Sequence, residues 1–179
     1  MQAAAGPTMT VSGDREDAMA YDPPASADGW HYLEDLAVGD RFSGGRHALD
    51  AAQIKAFAAQ FDPQPFHLDE AAAADTLFGG LAASGWHTAA LTMKLIVGGA
   101  LRPAGGMIGA AAELAWPTPA RAGDVLDVES VVESVTPSRS QPGRGVVVVR
   151  TTTRNQHGDV LQTMTARLIV RRRPVPDAV

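Results

Sequence analysis

The first strong pattern of apolar positions along the chain is helical. Four apolar residues recur at the spacing i, i+3, i+4 and i+7, which places them on one face of a helix. They are Ile54, Phe57, Ala58 and Phe61. Asp50 precedes this face as an N-cap, and Gln53 follows Asp50 at the spacing of a capping box. The helix must end before Pro63, because the residue preceding a proline is disfavoured in the α region.

Two further helices are predicted. A short, Ala-rich helix runs from its N-cap Asp69 to about Thr76, and a Phe-Gly-Gly sequence ends it. A longer helix begins after Ser84, which is again a suitable N-cap. From Trp86 to Val97 this helix is apolar on nearly every face, and a helix of that kind is buried on most sides.

Alternating and β-branched residues predominate after Pro103. They predict four strands, at 107–120, 124–135, 145–155 and 159–173. A shorter strand is predicted near Arg41 to His47, and residues 155–159 form a turn between the last two strands. This order predicts an α+β fold in which an antiparallel β-sheet wraps around the long helix.

Composition sets the domain boundaries. The 179 residues are 45% hydrophobic, which is enough for one domain with a real core. Residues 1–28 are rich in Ala, Gly, Pro, Ser and Asp without any period, and we expect a disordered N-terminal tail there. The domain is expected at 29–173, with a C-terminal tail at 174–179.

Charge and residue usage exclude several function classes. The formal net charge is −5, and no basic stripe of the kind found in nucleic-acid binders precedes the run Arg171–Arg173. The absence of cysteine excludes disulfides, thiolate metal sites and a cysteine nucleophile. The longest apolar stretch, 85–101, is too short and too interrupted for a membrane span, and no signal peptide is recognisable. We therefore expect a cytoplasmic protein.

The segment AQFDPQPFHLDEA concentrates the candidate chemistry. Its carboxylate, Asp62, and its imidazole, His67, can share one water molecule, since one group accepts a proton while the other orients the water. Their spacing matches neither a helix face nor a strand face, so they converge only if the chain turns between them. Pro63 and Pro65 make a fixed turn plausible. Both residues that precede a proline, Asp62 and Gln64, are expected to be extended. The alternative is a rigid connector with a packed or capping histidine.

The same segment resembles the hydratase motif of the MaoC-like dehydratase family, the (R)-specific enoyl-CoA hydratases. That motif runs Asp, any residue, Asn, Pro, an apolar residue, His, and here it reads DPQPFH with Gln64 in place of Asn. The resemblance extends over roughly 32–172, through EDLAVGD, HLDEAAA, LFGGLAASGWHTAAL and ELAWPTPARAGDVL. A branch of the family carries the same Gln.

The resemblance implies a hot-dog fold, in which an antiparallel sheet curls around a long central helix. It also implies a homodimer or higher homo-oligomer, with an acyl-thioester tunnel at or near the subunit interface. Asp62 and His67 would bind the water that adds across the double bond. The Gly85 N–H would lie near the thioester oxygen, where a helix N-terminus stabilises negative charge, and Gln64 and Trp86 would belong to the substrate-binding residues. No metal or redox cofactor is implied, because coenzyme A enters as part of the substrate.

The chain departs from the family pattern in two places. Many members have His-Gly-Met where this chain has Ser84-Gly85-Trp86. Some place a serine where this chain has Met93, beside Thr92. The substrate length is therefore open: Trp86 either narrows the acyl pocket or packs in the core.

Other polar residues are given structural interpretations or left open. Ser84 is interpreted as an N-cap and not as a nucleophile, because no Gly-x-Ser-x-Gly surrounds it. His67, His87 and Asp62 match no recognised metal-site spacing. The remaining candidates are interpreted by position: His31, His47 and His157 as surface or turn residues, Arg171–Arg173 as a solvated strand end or a coenzyme A phosphate contact, and Glu113 and Arg121 as possible residues of the tunnel mouth.

The leading hypothesis is a hydro-lyase that reversibly hydrates a 2-enoyl-CoA to the (R)-3-hydroxyacyl-CoA, or a related dehydratase of branched or dicarboxylic acyl-CoAs. The carrier is coenzyme A or acyl carrier protein. A hot-dog thioesterase is the second hypothesis, and the absence of Asp and Glu from the helix Trp86–Val97 argues against it. A non-catalytic acyl-thioester-binding subunit is the third.

Overall fold

The computed structural model describes residues 25–174. A five-stranded, fully antiparallel sheet has the strand order β1-β3-β4-β5-β2. Its strands are β1 Arg41–Ala48, β2 Ile108–Ala115, β3 Val125–Pro137, β4 Arg144–Arg154 and β5 Val160–Arg171. The helices are α1 Ala51–Phe61, α2 Pro65–Leu68, α3 Glu70–Ala74 and α4 Gly85–Val97, with a 3-10 turn at Leu33–Asp35. This is the predicted hot-dog architecture.

Alternation along the central strands creates one buried face. On β3, Leu126, Val128 and Val132 are almost completely buried, while the residues next to each of them are partly exposed. The same alternation continues on β4 and β5, as expected where one face of an antiparallel sheet is packed and the other solvated. The long helix α4 lies against this buried face and contacts β1, β3 and β5.

Helix α4 carries both apolar and polar groups into the core. Leu91, Leu95 and Ile96 belong to the main hydrophobic cluster. Thr92 is completely buried, and its hydroxyl lies 2.6 Å from the Thr153 hydroxyl on β4. The polar position inside the apolar helix is therefore satisfied across the helix–sheet interface, as a buried hydroxyl requires.

Two glycines allow the C-terminal end of α4 to approach β1 closely. A Cβ atom on Gly99 would lie 2.7 Å from the Ser43 carbonyl oxygen and 2.9 Å from the Gly44 Cα. A Cβ atom on Gly44 would lie 3.0 Å from the Leu95 carbonyl oxygen of α4, and 2.1 Å from Val128 Cγ2 on β3. The backbones of the two elements touch here, and only glycine fits between them.

The predicted helix starts agree with the structure, whereas the helix ends differ in detail. Asp50 accepts a hydrogen bond from the Gln53 N–H (2.8 Å) and Asp69 one from the Ala72 N–H (2.8 Å), so both are N-caps. Helix α3 ends at Ala74, before the predicted Thr76. Phe61, predicted on the buried face of α1, is 66% exposed because it occupies the last turn.

Three histidines were predicted to be surface or turn residues, and for His31 this prediction is wrong. His31 is buried with 1% exposure. Its backbone N–H donates to the Arg102 carbonyl (2.7 Å), and its ring meets Phe42 edge-on at 5.1 Å. His157 is exposed in the predicted turn, and His47 is half-buried, with Nε2 2.7 Å from Gln53 Oε1. His31 stands between Trp30 and Tyr32, outside any periodic segment, so the sequence carries no signal that would reveal its burial.

The predicted tails lie largely outside the described residues. Within the part of the N-terminal tail that is described, the Ser26 N–H donates to the Trp30 carbonyl at 2.9 Å, forming a turn. The domain boundaries stay a prediction. Among residues 25–174, no helix is both long and apolar enough to cross a membrane.

Gly99→Ala is expected to destabilise the protein by about 1–3 kcal/mol, because the added methyl group must push α4 away from the Ser43 carbonyl. Urea unfolding followed by circular dichroism measures this loss. Gly143→Ala is the matched control, since a Cβ atom on Gly143 would have no other atom within 4 Å. Equal losses in the two variants would show that the contact between α4 and β1 is not tight.

Candidate active site

Two prolines shape the turn that carries the candidate acid–base pair. Helix α1 ends at Phe61, and Asp62 leaves the helical region with φ −154° and ψ 68°. The Gln64 N–H donates to the Asp62 carbonyl at 2.7 Å, which closes a tight turn around Pro63. Pro65 is then the first residue of the one-turn helix α2, a position that suits proline because no N–H is needed there.

Asp62 and Gln64 were both predicted to be extended, and the structure confirms this for Gln64 alone. Gln64 is extended, with φ −86° and ψ 143°. Asp62 is outside the α region but not fully extended, because the hydrogen bond from Gln64 draws its carbonyl inwards. This turn and helix α2, which was not predicted, bring residues 62 and 67 to the same side.

Asp62 and His67 face each other. Asp62 Oδ2 lies 3.4 Å from His67 Nε2, and the two side chains are 18% and 5% exposed respectively. The other ring nitrogen, Nδ1, lies 2.7 Å from the Ala82 carbonyl oxygen. Because a carbonyl only accepts, Nδ1 carries a hydrogen, and in the neutral ring the lone pair is on Nε2. The ring therefore turns Nε2, and not Nδ1, towards the carboxylate.

The Asp62 carboxylate is held by two donors. The Ser84 hydroxyl donates to Oδ2 at 2.6 Å, and the Gln64 amide donates to Oδ1 at 2.7 Å. The Ser84 hydrogen bond is the main reason that the pKa of Asp62 lies below its ordinary value. Burial acts in the opposite direction, whereas Gln64 and His67 act with Ser84. The carboxylate is thus charged, oriented and still accessible from one side.

The N-terminus of α4 forms another wall of the site. Ser84 caps the helix by accepting a hydrogen bond from the Trp86 N–H (3.2 Å), which confirms its predicted role as N-cap. Gly85 lies against the Trp116 ring: a Cβ on Gly85 would be 2.8 Å from Trp116 Cε2. The Trp116 indole N–H donates to Gln162 Oε1 at 2.8 Å, which fixes the ring over the helix end.

The facing pair Asp62 and His67 lines one cleft of about 350 Å³ together with Gly85 and Trp116. Its walls are Asp62, Gln64, Phe66, His67, Phe78, Ala83, Gly85, Trp86, Thr88, Trp116, Pro119 and Ala120. All five predicted site residues are therefore together. Trp86 is 61% exposed and meets Trp116 edge-on at 5.6 Å, so it is a wall of the cleft and not a core residue.

Sequence reasoning missed two residues that shape this site. Ser84 contacts Asp62 in addition to capping α4, and a distance of 22 positions along the chain leaves no local signal for that contact. Trp116 comes from the segment after β2 and reaches Gly85 only through the fold. The ELAWPTPA segment of the resemblance contains Trp116, which was the one available hint.

Other candidate residues lie elsewhere. Met93 is 43% exposed and lines a separate apolar cavity of about 290 Å³ between α4 and strands β2, β4 and β5. Arg121 donates to the backbone carbonyls of Phe78, Gly80 and Leu81, so it holds the loop before α4. Glu113 is exposed on β2.

The basic run at the end of β5 is tied to the 3-10 turn. Arg172 Nε lies 2.6 Å from Glu34 Oε1, and Arg173 Nη2 lies 2.6 Å from Asp35 Oδ1. These ion pairs support the interpretation as a solvated strand end.

His87 is buried outside the cleft. Its ring stacks on Phe57 at 4.5 Å, and burial lowers its pKa, with nearby His47 acting in the same direction. Within residues 25–174, no three His, Cys, Asp or Glu side chains are grouped so that they could hold a metal ion.

Comparisons with known proteins identify the family. The family model described as MaoC like domain matches residues 38–155. The crystal structure of the MaoC-like dehydratase from Rhodospirillum rubrum is 59% identical, covers 81% of this chain and 99% of its own, and has a TM-score of 0.79. The (R)-hydratase PhaJ1 from Pseudomonas aeruginosa is 26% identical over 83% of this chain and 95% of its own, with a TM-score of 0.63.

Two further matches are more distant or shorter. The (R)-hydratase from A. caviae is 26% identical over 77% of this chain and 98% of its own, with a TM-score of 0.58. The uncharacterized protein YdeM of Bacillus subtilis is 36% identical over 63 residues, and this match spans 35% of the chain and 45% of that protein. Since the family model covers more than half of the chain and the Rhodospirillum structure matches most of it, the protein belongs to the MaoC-like dehydratase family.

Proposed function

We propose that the protein is a hydro-lyase that reversibly adds water to a 2-enoyl-CoA to give the (R)-3-hydroxyacyl-CoA. The observation that carries this proposal is the facing pair of Asp62 and His67 in a cleft, with His67 Nε2 3.4 Å from Asp62 Oδ2. Two acceptors so close together are suited to hold the two hydrogens of one water molecule. The (R)-hydratases of Pseudomonas aeruginosa and A. caviae support the same reaction class.

In the proposed reaction, Asp62 and His67 each have one role in hydration and the reverse of that role in dehydration. The water oxygen bonds to C3 of the enoyl group while the C2–C3 π electrons shift towards C2 and the thioester carbonyl. His67 Nε2 takes one water proton, and the Asp62 carboxylate holds the other hydrogen and orients the oxygen. The proton held by His67 then moves to C2. Hydration adds H and OH without a change in overall oxidation state, so no redox cofactor takes part.

We propose that the N-terminus of α4, the positive end of the helix dipole, stabilises the negative charge that develops on the substrate. Negative charge develops on the thioester oxygen as water attacks C3, and the N–H of Gly85 belongs to the first turn of the helix, where N–H groups lack helical partners. A donor placed there stabilises the developing charge, with help from the helix dipole. We propose that the thioester oxygen lies against Gly85, between the acid–base pair and Trp116.

Asp62→Asn and His67→Ala are each expected to reduce hydration of crotonyl-CoA by roughly 10²–10⁴-fold, because proton transfer by a positioned side chain contributes that much. The loss of enoyl-thioester ultraviolet absorbance measures the rate. Asp75→Asn and His157→Ala are matched controls, since both residues are exposed and outside the cleft.

The outcomes separate the three hypotheses. Activity lost in both site variants but kept in the controls supports the hydratase. A wild type that releases free thiol without consuming the double bond would establish a thioesterase instead. Binding of enoyl-CoAs without turnover, tested over short, long and branched chains, would favour the acyl-binding subunit.

Trp86 is proposed to limit the acyl group. Its exposed ring stands at the cleft next to Trp116, so a shorter side chain opens the wall. Trp86→Ala is expected to raise kcat/KM for an eight-carbon enoyl-CoA relative to crotonyl-CoA, with Trp86→Phe in between. Equal activity of the wild type on short and long chains would refute the proposal.

A second copy of the chain is proposed to pair along β2. Within the described residues this strand pairs only with β5, and all of it except Leu114 is exposed. Its outer edge presents free backbone donors and acceptors next to small apolar residues, and the neighbouring face of α4 exposes Met93 and Val97. Two copies related by a two-fold axis would bury the β2 edge and the exposed face of α4 together, because a two-fold interface places the same surface of each copy against the other.

Ala112→Glu is expected to shift the protein towards one chain, because a two-fold axis brings the added carboxylates close together. Light scattering after size exclusion should give twice the 18.7 kDa chain mass for the wild type and a lower mass for the variant. Gln141→Glu adds the same charge at an exposed position away from β2 and should leave the mass unchanged. A wild type of single-chain mass would contradict the proposal.

A further inference from the structure

Ser84 makes two hydrogen bonds through one side-chain oxygen, and they lead to two different parts of the site. This oxygen lies 2.6 Å from Asp62 Oδ2 and 3.2 Å from the Trp86 backbone nitrogen. The residue is 1% exposed, so water does not compete for these contacts. Ser84 does not line the cleft, and it therefore acts on the site through its neighbours.

The direction of each bond follows from the groups involved. The backbone N–H of Trp86 can only donate, so Ser84 accepts from it. The ionised carboxylate of Asp62 can only accept, so the single hydroxyl hydrogen of Ser84 goes to Oδ2. The same oxygen faces His67 Nε2. Ser84 thus occupies one lone-pair direction of Oδ2 and leaves the other for the reacting water.

We propose that Ser84 is a positioning residue of the hydration reaction, whose hydroxyl ties the orientation of the Asp62 carboxylate to the N-terminus of α4. This inference rests on the proposed function. It assigns one side chain to both halves of the site: the carboxylate that orients water, and the helix end whose N–H meets the thioester oxygen. A change at this residue moves the two halves relative to each other.

The identity of this cap residue supports the assignment. The other two N-caps with side-chain bonds, Asp50 and Asp69, are exposed carboxylates. A carboxylate at position 84 would cap α4 equally well but could not donate to Asp62, and two carboxylates this close would repel each other. A hydroxyl is the small cap that both accepts from the helix and donates to the acid. The lowered pKa of Asp62, for which Ser84 is the largest cause, agrees with this geometry.

The first test measures Asp62 in the resting protein. Carbon-13 NMR of selectively labelled aspartate, assigned with Asp62→Asn, follows the Asp62 carboxyl through an acid titration in the wild type, Ser84→Ala and Ser84→Thr. We expect the pKa of Asp62 to rise towards its ordinary value in Ser84→Ala, because the charged form loses a donor. It should stay low in Ser84→Thr, which keeps the hydroxyl. An Asp62 pKa that does not move in Ser84→Ala would overturn the proposal.

The second test measures turnover. In Ser84→Ala, kcat for crotonyl-CoA is expected to fall by about tenfold to a hundredfold, as for a displaced catalytic group, with little change in KM, and Ser84→Thr should restore most of it. Ser84→Gly repeats the test with less loss of helix stability, since glycine is a tolerated N-cap. Asp50→Ala removes a cap from α1 and should leave kcat within about twofold, because a lost cap affects stability and not the carboxylate.

The two tests distinguish failure of this inference from failure of the proposed function. Hydration abolished in Asp62→Asn but unchanged in Ser84→Ala would leave the hydratase standing and refute the role of Ser84. A wild type without hydration on any enoyl-CoA would refute the proposed function, and the NMR titration would still decide whether Ser84 controls the Asp62 carboxylate. Equal loss of kcat in Asp50→Ala and Ser84→Ala would reduce Ser84 to an ordinary cap and overturn the proposal.

Discussion

The position of α4 against the sheet is the constraint on which the rest of the structure depends. At one end the helix meets β1 through Gly99 and Gly44, where no side chain fits. In the middle, Thr92 satisfies its hydroxyl on Thr153 of β4. Because both contacts are short, the helix can neither slide nor rotate freely, and its N-terminal end is fixed relative to the strands.

That fixed N-terminal end then organises the cleft. The Trp116 ring is held over Gly85 by its hydrogen bond to the buried Gln162, and Ser84 reaches across to Asp62. The loop before the helix is held separately, by hydrogen bonds from Arg121 to its carbonyl groups. Asp62 and His67 come from one part of the chain and the Gly85 end of α4 from another, so the cleft that they line forms only when α4 is packed against the sheet.

The electrostatics of the pair follow from how each group is held. The Nδ1–H of His67 donates to the Ala82 carbonyl, which leaves Nε2 facing the Asp62 carboxylate. Donors on both oxygens favour the charged form of Asp62. A carboxylate and an imidazole nitrogen that face each other can hold one water molecule between them, which is what the proposed hydration requires.

Much of the fold was determined by local patterns in the sequence. The apolar period of α1, its cap Asp50 and the alternation of β3 to β5 are short-range features, and they predicted elements that the structure contains. Two prolines in DPQPFH also indicated a fixed turn without any tertiary information. The family resemblance of that segment singled out Asp62 and His67, which the residue chemistry alone left open between a catalytic pair and a connector.

What only the tertiary structure decided is the set of contacts between distant segments. Three such features depend on residues far apart in sequence. They are the burial of His31, the contact of Trp116 with Gly85 and the hydrogen bond from Ser84 to Asp62. The exposure of Phe61 was likewise set by where α1 ends on the surface. Periodicity reports which face of an element is apolar, and capping rules report where it begins. Neither reports which other element that face or end will meet, because that depends on the packing of the whole chain.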